Sequence, residues 1–325
     1  MNMKEVTNIW LNGDYMKKLL LFFLLLLIVP IFITNTFYKY SSKKYITGFL
    51  NNKKKTNNIK IRVLKKDNTI ESYNLEDYLV GVVSSEMPVS FEDEALKAQA
   101  VASRTYALKQ MENNKENNYD VTDDVMSQVF STNEELKEKW KENYDNNYNK
   151  IKKIVKDTEG EYLSYGGDYI YAFFFSTSNG KTEDNKDVFG ENLPYLKVVD
   201  SSFDENESPS FYNSYTFSKE EFYNKLGIDY SNSLNISDIV KTDSGRIKSI
   251  TINNNEFKGR EFQKKLSLKS NDFTIKEEDN IIIETRGNGH GVGLSQYGAN
   301  ALAKTKKSYK EILKYYYSET ELKKL

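Results

Sequence analysis

Cysteine is absent from this 325-residue chain, and histidine occurs once, as His290. Without a thiol there are no disulfides, no cysteine nucleophile and no thiolate metal site. A single imidazole cannot supply the pair of histidine ligands that zinc peptidases and zinc amidases usually need. No acidic loop shows calcium-ligand spacing, so neither metal nor cofactor is expected. Excess positive charge is missing too. The 46 basic residues are offset by 47 acidic ones, for a net charge of −1, and the basic footprint of a nucleic-acid binder is lacking. What the chain does have is apolar mass. Hydrophobic residues make up 38% and aromatic residues 14%, with 24 Tyr and 18 Phe. That suffices for a substantial core and also supplies flat ring faces able to stack on sugars.

One long apolar run stands out, Leu19 to Phe37, with no charge between Leu19 and Ile33. Its length suits a bilayer crossing, and lipid-spanning helices tolerate a proline such as Pro30. Residues 1–18 then read as a short cytoplasmic tail and 19–37 as a transmembrane helix. Residues 38–58, rich in Lys, Asn and Ser, read as a juxtamembrane linker. Residues 59–325 follow as an extracytoplasmic domain. Lys17 and Lys18 precede the run and Lys39, Lys43 and Lys44 follow it, so charge alone does not orient it. A cleaved signal peptide is the rival reading, but Ile33 to Thr36 offer no small-x-small cleavage site. Both readings carry the domain across the membrane.

Within the domain, Ile59–Leu64 and Thr69–Tyr73 read as strands around a Lys66-Asp67-Asn68 turn. Asn74 is placed to cap a helix through Val83, which Met87-Pro88 ends. Ser90 and Asp93 suggest a capping box opening a helix from Glu92 to Met111. That helix is dense in alanine and suited to close packing at the centre of the fold. One long amphipathic helix is expected over residues 134–156, with Leu136, Trp140, Tyr144, Ile151 and Val155 at helical spacing and Gly160 closing it. A hairpin follows, Glu161–Tyr165 and Tyr169–Ser176 about Gly166-Gly167-Asp168. Further strands are expected near Tyr195–Val199, Ser237–Lys241, Arg246–Ile252 and Asn280–Thr285. Short helices are expected at Lys219–Leu226 and Arg260–Leu266, and a helical tail from Leu294 to Tyr317. Helices and hairpins are interspersed with no βαβ repeat, so the class is α+β with a largely antiparallel sheet.

Four stretches concentrate chemical potential. Glu86 stands at a helix end among Val82, Val83, Met87, Val89 and Phe91, where desolvation raises a carboxyl pKa; most glutamates at helix ends are merely solvated. Gln99, Ser103 and Tyr106 share one face of the alanine-rich helix, beside Arg104. Such residues line a cleft or satisfy one another in helix packing. Ser176-Thr177-Ser178-Asn179-Gly180-Lys181-Thr182 follows an apolar strand as binding loops do, without the glycine spacing of a phosphate loop. In Gly287-Asn288-Gly289-His290-Gly291-Val292-Gly293, four glycines alternate around the one histidine, as a close backbone approach or positive φ requires. A helix that includes Gln296 follows.

Together these stretches resemble the stage II sporulation protein D family, exported amidase-enhancer-like proteins of spore formers. The similarity rests on EDYLVGVVSSEMP (76–88), EALKAQAVASRTY (94–106), Asp120-Val121-Thr122-Asp123, Gln128-Val129-Phe130, Ser176-Thr177-Ser178 and GHGVGLSQYGA (289–299), and it covers roughly residues 60–320. The resemblance implies a membrane-anchored lytic transglycosylase that cuts peptidoglycan glycan strands stripped of stem peptides during engulfment. It further implies work alongside the amidase stage II sporulation protein P and the membrane protein stage II sporulation protein M. It places the catalytic glutamate at Glu86. Arg104, Tyr195 and Lys197 fall on its substrate-binding positions, with Asp204 a downstream partner. Gln99, Tyr106, Ser176, Thr177, Ser178, His290 and Gln296 complete the expected sugar-contacting set. Some relatives bind zinc through a cysteine pair; Thr122 and Ser127 stand at the equivalent places here. Phe175 stands where many relatives carry histidine, Leu294 replaces a frequent Met and Asn179 a frequent Gly.

On this reading Glu86 protonates the glycosidic oxygen and then takes the proton of the muramic C6 hydroxyl as it attacks C1. Two other readings remain open. One is a non-catalytic wall-binding module that stimulates an amidase. The other is a serine hydrolase using Ser176 or Ser178 with His290, which lacks the Gly-x-Ser-x-Gly nucleophile turn.

Overall fold

The computed structural model describes residues 59–123 and 127–325. The expected tail, transmembrane helix and linker over 1–58 lie outside the described residues. Among those described, no helix is long and apolar enough to cross a membrane.

The domain opens with a hairpin, β1 (Lys60–Leu64) and β2 (Ile70–Asn74), paired antiparallel with Lys60 opposite Asn74. Asn68 sits at φ +65° in its turn, a conformation asparagine tolerates. Two helices follow, α1 (Leu75–Glu86) and α2 (Asp93–Asn113). Both start within a residue of where the sequence suggests, but neither has the expected side-chain cap. Asn74 stands at the α1 N-cap without a side-chain bond to the backbone; its amide donates to Asp77 instead. Glu92 rather than Ser90 precedes α2, with no side-chain cap. Its own N–H is taken by Asn300 Oδ1 at 2.9 Å, so a distant partner does the work the capping box was expected to do. The two-residue β3 (Val121–Thr122) then returns to pair in parallel with β1.

The long helix expected over 134–156 is two helices, α3 (Asn133–Trp140) and α4 (Tyr144–Asp157). Lys141 between them adopts φ +48°, which interrupts the helical ladder. Thr132 and Glu135 form a full capping box at the start of α3. Thr158 ends α4, and Gly160, at φ +72°, turns the chain into the next strand. The expected hairpin is present as β4 (Glu161–Tyr165) and β5 (Asp168–Tyr169), with Tyr165 opposite Asp168 across Gly166-Gly167. Its second arm breaks, however. β6 (Phe174–Phe175) leaves for another partner. Tyr195–Val199 forms no strand but irregular chain between two short helices, α5 (Asn185–Val188) and α6 (Asp204–Glu207).

Residues 212–286 build a second lobe: β7 (Tyr212–Phe217), α7 (Lys219–Leu226), β8 (Ile236–Lys241), β9 (Ile247–Ile252), β10 (Asn255–Lys258), α8 (Gly259–Lys265), β11 (Phe273–Glu277) and β12 (Ile281–Arg286). Two antiparallel three-stranded sheets, ordered β10-β9-β8 and β11-β12-β7, enclose it. Its core is separate and includes Phe217, Phe222, Ile250, Phe262, Phe273 and Ile283. The lobe is pinched at its stem, where Gly287 N–H donates to the Phe211 carbonyl at 2.7 Å. The chain then returns to the main lobe through β13 (Leu294–Ser295), α9 (Gln296–Lys304), α10 (Tyr309–Tyr316) and β14 (Glu321–Lys324). β13 pairs in parallel with β6, and β14 pairs antiparallel with β4. The single tail helix expected over 294–317 is thus divided, with Lys306 at φ +69° and a capping box of Ser308 and Glu311 restarting it.

α2 is the centre of the main lobe, packed by α1, α4, α9, α10 and β4. Its alanines 95, 98, 100, 102 and 107 are fully buried, and small side chains let so many elements approach one helix. Arg104 is buried in the same helix. It pairs with Glu76 of α1 through two bonds of 2.6 and 2.8 Å and donates to the carbonyls of Glu161 and Val155. One guanidinium thereby ties α1, α4 and β4 to α2. Truncating one partner of a buried ion pair leaves the other uncompensated. Arg104→Ala is therefore expected to lose about 3–5 kcal/mol of stability, read as a lowered denaturant midpoint with an unchanged slope.

Candidate active site

Met87, extended at φ −120° and ψ 144°, ends α1 and leaves Glu86 on its last turn. The carboxyl lines a cleft of about 370 Å³ whose wall also includes Tyr106, Val129, Phe173, Phe189 and His290. Oε1 accepts the Val129 N–H at 2.8 Å, and Gln296 Nε2 approaches Oε2 at 3.4 Å. Burial raises the Glu86 pKa above the ordinary carboxyl range, and these two donors oppose the rise without cancelling it. The group is thus biased toward the acid form while its geometry is held.

Behind Glu86 runs a buried amide chain. Gln296 Nε2 reaches Gln99 Oε1 at 3.4 Å, and Gln99 Nε2 donates to Ser103 Oγ at 2.9 Å. Gln128 donates to the Ser103 carbonyl and faces the Tyr78 hydroxyl. These groups belong to α1, α2, α9 and the segment before α3, so a displacement of any of them moves the donors on Glu86. Gln99 is fully buried and acts as a support rather than a sugar contact.

The glycine-flanked histidine lies across the cleft. Its Nδ1 accepts the Val292 N–H at 3.0 Å, and Nε2 lies 3.0 Å from the Phe174 carbonyl. A ring that accepts at Nδ1 and faces a carbonyl at Nε2 carries its proton on Nε2. Burial, together with the charge of Arg260, pushes its pKa down to about 3. A neutral imidazole with both nitrogens engaged has no lone pair to activate a serine. Gly291 and Gly293 make the turn possible. A Cβ on Gly291 would meet the Arg246 guanidinium at 2.7 Å, and one on Gly293 would meet the Phe173 carbonyl oxygen at 2.0 Å, both at positive φ.

Of the serine–threonine run, Ser176 lines the cleft. Thr177 and Ser178 are buried, held by Ser208 Oγ and the Ser201 carbonyl respectively. Asp204 is buried with them. It accepts from the Ser178 N–H at 2.7 Å, from Ser201 Oγ at 2.8 Å and from Ser295 Oγ, and burial raises its pKa against these donors. It fastens the loop after β6 to the start of α9, and so sets where Ser176 and Gln296 stand.

Of the residues expected at the sugar, only Tyr106, Ser176 and His290 line the cleft with Glu86; Gln99, Thr177, Ser178, Asp204 and Gln296 stand outside its wall, and so do Arg104, Tyr195 and Lys197. Arg104 has no exposed surface and serves the helix packing described above. Tyr195 is buried with its hydroxyl against the Tyr171 N–H. Lys197 pairs with Asp184 at 3.2 Å. The spacing of Tyr195 and Lys197 suggests a strand; without a strand there is no face to aim them together.

Conversely, Val129, Phe173, Phe189 and Arg260 line the cleft and are not among the residues picked from sequence. Val129 contributes a backbone N–H, which its side chain does not advertise. Arg260 comes from the second lobe, and its one sequence signal is rarity, as one of five arginines in the chain. The hydroxyls of Thr122 and Ser127 lie 3.0 Å apart. Among the described residues no group of three or more His, Asp or Glu is placed to hold a metal ion.

The family model described as "Stage II sporulation protein" matches residues 64–165, from β1 through β4, which includes Glu86, α2 and the Val129 segment. Stage II sporulation protein D of Bacillus subtilis (strain 168) is 40% identical over 260 residues, 78% of this chain and 76% of that protein. The protein of the same name from Bacillus amyloliquefaciens is 39% identical over 262 residues, 79% of this chain and 76% of that one. The amidase enhancer of Bacillus subtilis (strain 168) is 28% identical over 301 residues, 75% of this chain and 40% of its own length. With identity at this level across most of both chains, the protein belongs to the stage II sporulation protein D family, a family of sporulation proteins.

Proposed function

We propose that this protein is a peptidoglycan lytic transglycosylase acting during sporulation, with Glu86 as its acid and base. We further propose that residues 59–325 work outside the cytoplasm behind a membrane span at 19–37. The substrate would be the strands of alternating N-acetylmuramic acid and N-acetylglucosamine from which amidases such as stage II sporulation protein P remove the peptides, with stage II sporulation protein M as a membrane partner.

The observation that carries the reading is the character of the cleft. Among the described residues that line it, Glu86 is the only carboxyl, it is biased toward its protonated form, and aromatic rings surround it. Hydrolytic glycosidases pair two carboxyls across the scissile bond, about 5–9.5 Å apart, and among the described residues of the wall Glu86 has no such partner. A single carboxyl suffices when the nucleophile belongs to the substrate. Protonated Glu86 gives its proton to the glycosidic oxygen as the bond to muramic C1 breaks. The resulting carboxylate removes the proton of the C6 hydroxyl, whose oxygen bonds to C1. The products are a new free 4-hydroxyl and a 1,6-anhydro end, and the glutamate recovers its proton. The Val129 N–H and Gln296 stabilise the carboxylate between the two transfers. Phe173, Phe189 and Tyr106 offer faces for the rings, and engagement of both His290 nitrogens weighs against a serine hydrolase.

Glu86→Gln keeps the shape and removes the proton. It is expected to lower the rate of anhydro-end formation on purified peptide-free glycan by on the order of 10²–10⁴, read by mass spectrometry of the products. Because the folded pKa of Glu86 is raised, its burial penalty grows as pH rises from the ordinary carboxyl pKa to the folded one and is complete above it. The same variant should therefore melt no lower than the wild type at pH 7. Activity needs the acid form, so it falls as pH rises through the Glu86 pKa. Gln296→Ala removes a donor to the charged form and should move that alkaline limb to higher pH. A limb that stays in place would disconnect Gln296 from Glu86.

The name of the amidase enhancer relative favours a second reading, a wall-binding module that stimulates an amidase without chemistry of its own. Anhydro ends from the purified protein alone exclude it, and stimulation of an amidase by Glu86→Gln at the wild-type level supports it.

A further inference from the structure

Arg260 opens α8 in the second lobe and lines the cleft opposite the main-lobe residues. Its guanidinium carbon lies 5.4 Å from the centre of the Phe189 ring, which in turn stands 5.5 Å from the His290 ring. Three other arginines are matched by carboxylates: Arg62, Arg104 and Arg286 pair with Asp120, Glu76 and Asp272. Arg246 is sealed from solvent beneath the histidine turn; its Nη1 donates to Ser244 Oγ and the Lys181 carbonyl, its Nε and Nη2 have no hydrogen-bond partner, and Glu183, Asp272 and Asp204 lie near enough to favour its charge. Among the described residues Arg260 has an aromatic ring and no carboxylate. Burial in the cleft lowers its pKa with no opposing charge, yet a guanidinium stays protonated. It is also the only cation among the described lining residues, and the neutral His290 adds none. Arg260 keeps solvent exposure at the cleft, so its guanidinium fork is open to an anion that a ligand brings.

We propose that Arg260 binds a carboxylate of the substrate, the free lactyl carboxylate of a muramic residue held in the cleft. The planar fork of guanidinium donors matches a carboxylate with two parallel bonds, and the Phe189 ring fixes its plane. The lactyl group of muramic acid is an anion when it bears no peptide and a neutral amide when it does. One cation at this position therefore makes the cleft prefer peptide-free strands. The second lobe supplies specificity, while the main lobe supplies Glu86. This rests on the glycan reading above and adds a specificity-determining residue to it.

The test compares glycan oligomers with free lactyl carboxylates against the same oligomers converted to methylamides. Binding to the full chain is read by calorimetry, and cleavage is read separately. Wild type should bind the free acid on the order of ten- to a hundred-fold more tightly than the amide, the size of a charge-assisted bond. Arg260→Ala should bind both at the amide level, and Arg260→Lys should fall between, with a preference that high salt removes. A wild type without preference overturns the proposal. So does Arg260→Ala with the wild-type preference, or with equal losses on both ligands. An Arg260-dependent preference without anhydro ends upholds the carboxylate site and refutes the transglycosylase, so the two failures are separable.

Discussion

The hydrogen bond from the Val129 N–H to Glu86 is the contact around which the candidate site is arranged. It joins the last residue of α1 to a segment that has no helix or strand of its own, and it fixes one carboxyl oxygen inside a cleft whose burial disfavours the charge that oxygen carries. A carboxyl in that position is neither a solvated surface acid nor a fully buried neutral one. The N–H and the Gln296 amide favour the anion, while burial opposes it and raises the pKa. Both forms are accessible to one group, which a reaction that first gives and then recovers a proton requires.

Holding that balance depends on groups remote from the carboxyl. Gln296 is positioned through Ser295, the N-cap of α9, which Asp204 fastens to the loop after β6. Gln99 and Ser103 support it from α2. α2 in turn stays in register with α1 and α4 through Arg104. Several polar residues expected at the cleft, among them Gln99, Arg104 and Asp204, thus act one layer away from it. They are buried and hydrogen-bonded, and they decide where the exposed ones point. A buried polar network of this kind tolerates little error, since an unsatisfied member costs more than an apolar substitute.

The two lobes divide the chemistry. The main lobe carries Glu86, His290 and most of the aromatic wall; the second lobe reaches in with Arg260 and braces the histidine turn with Arg246 beneath Gly291. Further links cross the same seam. Asn179 donates to Ser244 and Asp272, and Glu183 accepts from Thr242 and Ser244. These bonds of 2.6–3.1 Å are buried or partly buried, so the cleft is bounded by elements that share one hydrogen-bonded framework.

Local pattern by itself determined much of this protein. The turn at Asn68, the end of α1 at Met87-Pro88, the alanine-rich α2 and helix α7 at Lys219–Leu226 follow from residue conformational preferences, and those preferences act within a few residues. The absence of cysteine and the single histidine restricted the chemistry before any fold was known. Tertiary structure alone decided the rest. Lys141 and Lys306, both at positive φ, break helices that periodicity continues. The segment at 195–199 has the composition of a strand and no sheet edge to join. Arg104 and Arg260 look alike as letters, yet one is sealed among carbonyls and the other faces a cleft. Which way a side chain faces is set by contacts between residues far apart in the chain, and no local preference encodes them.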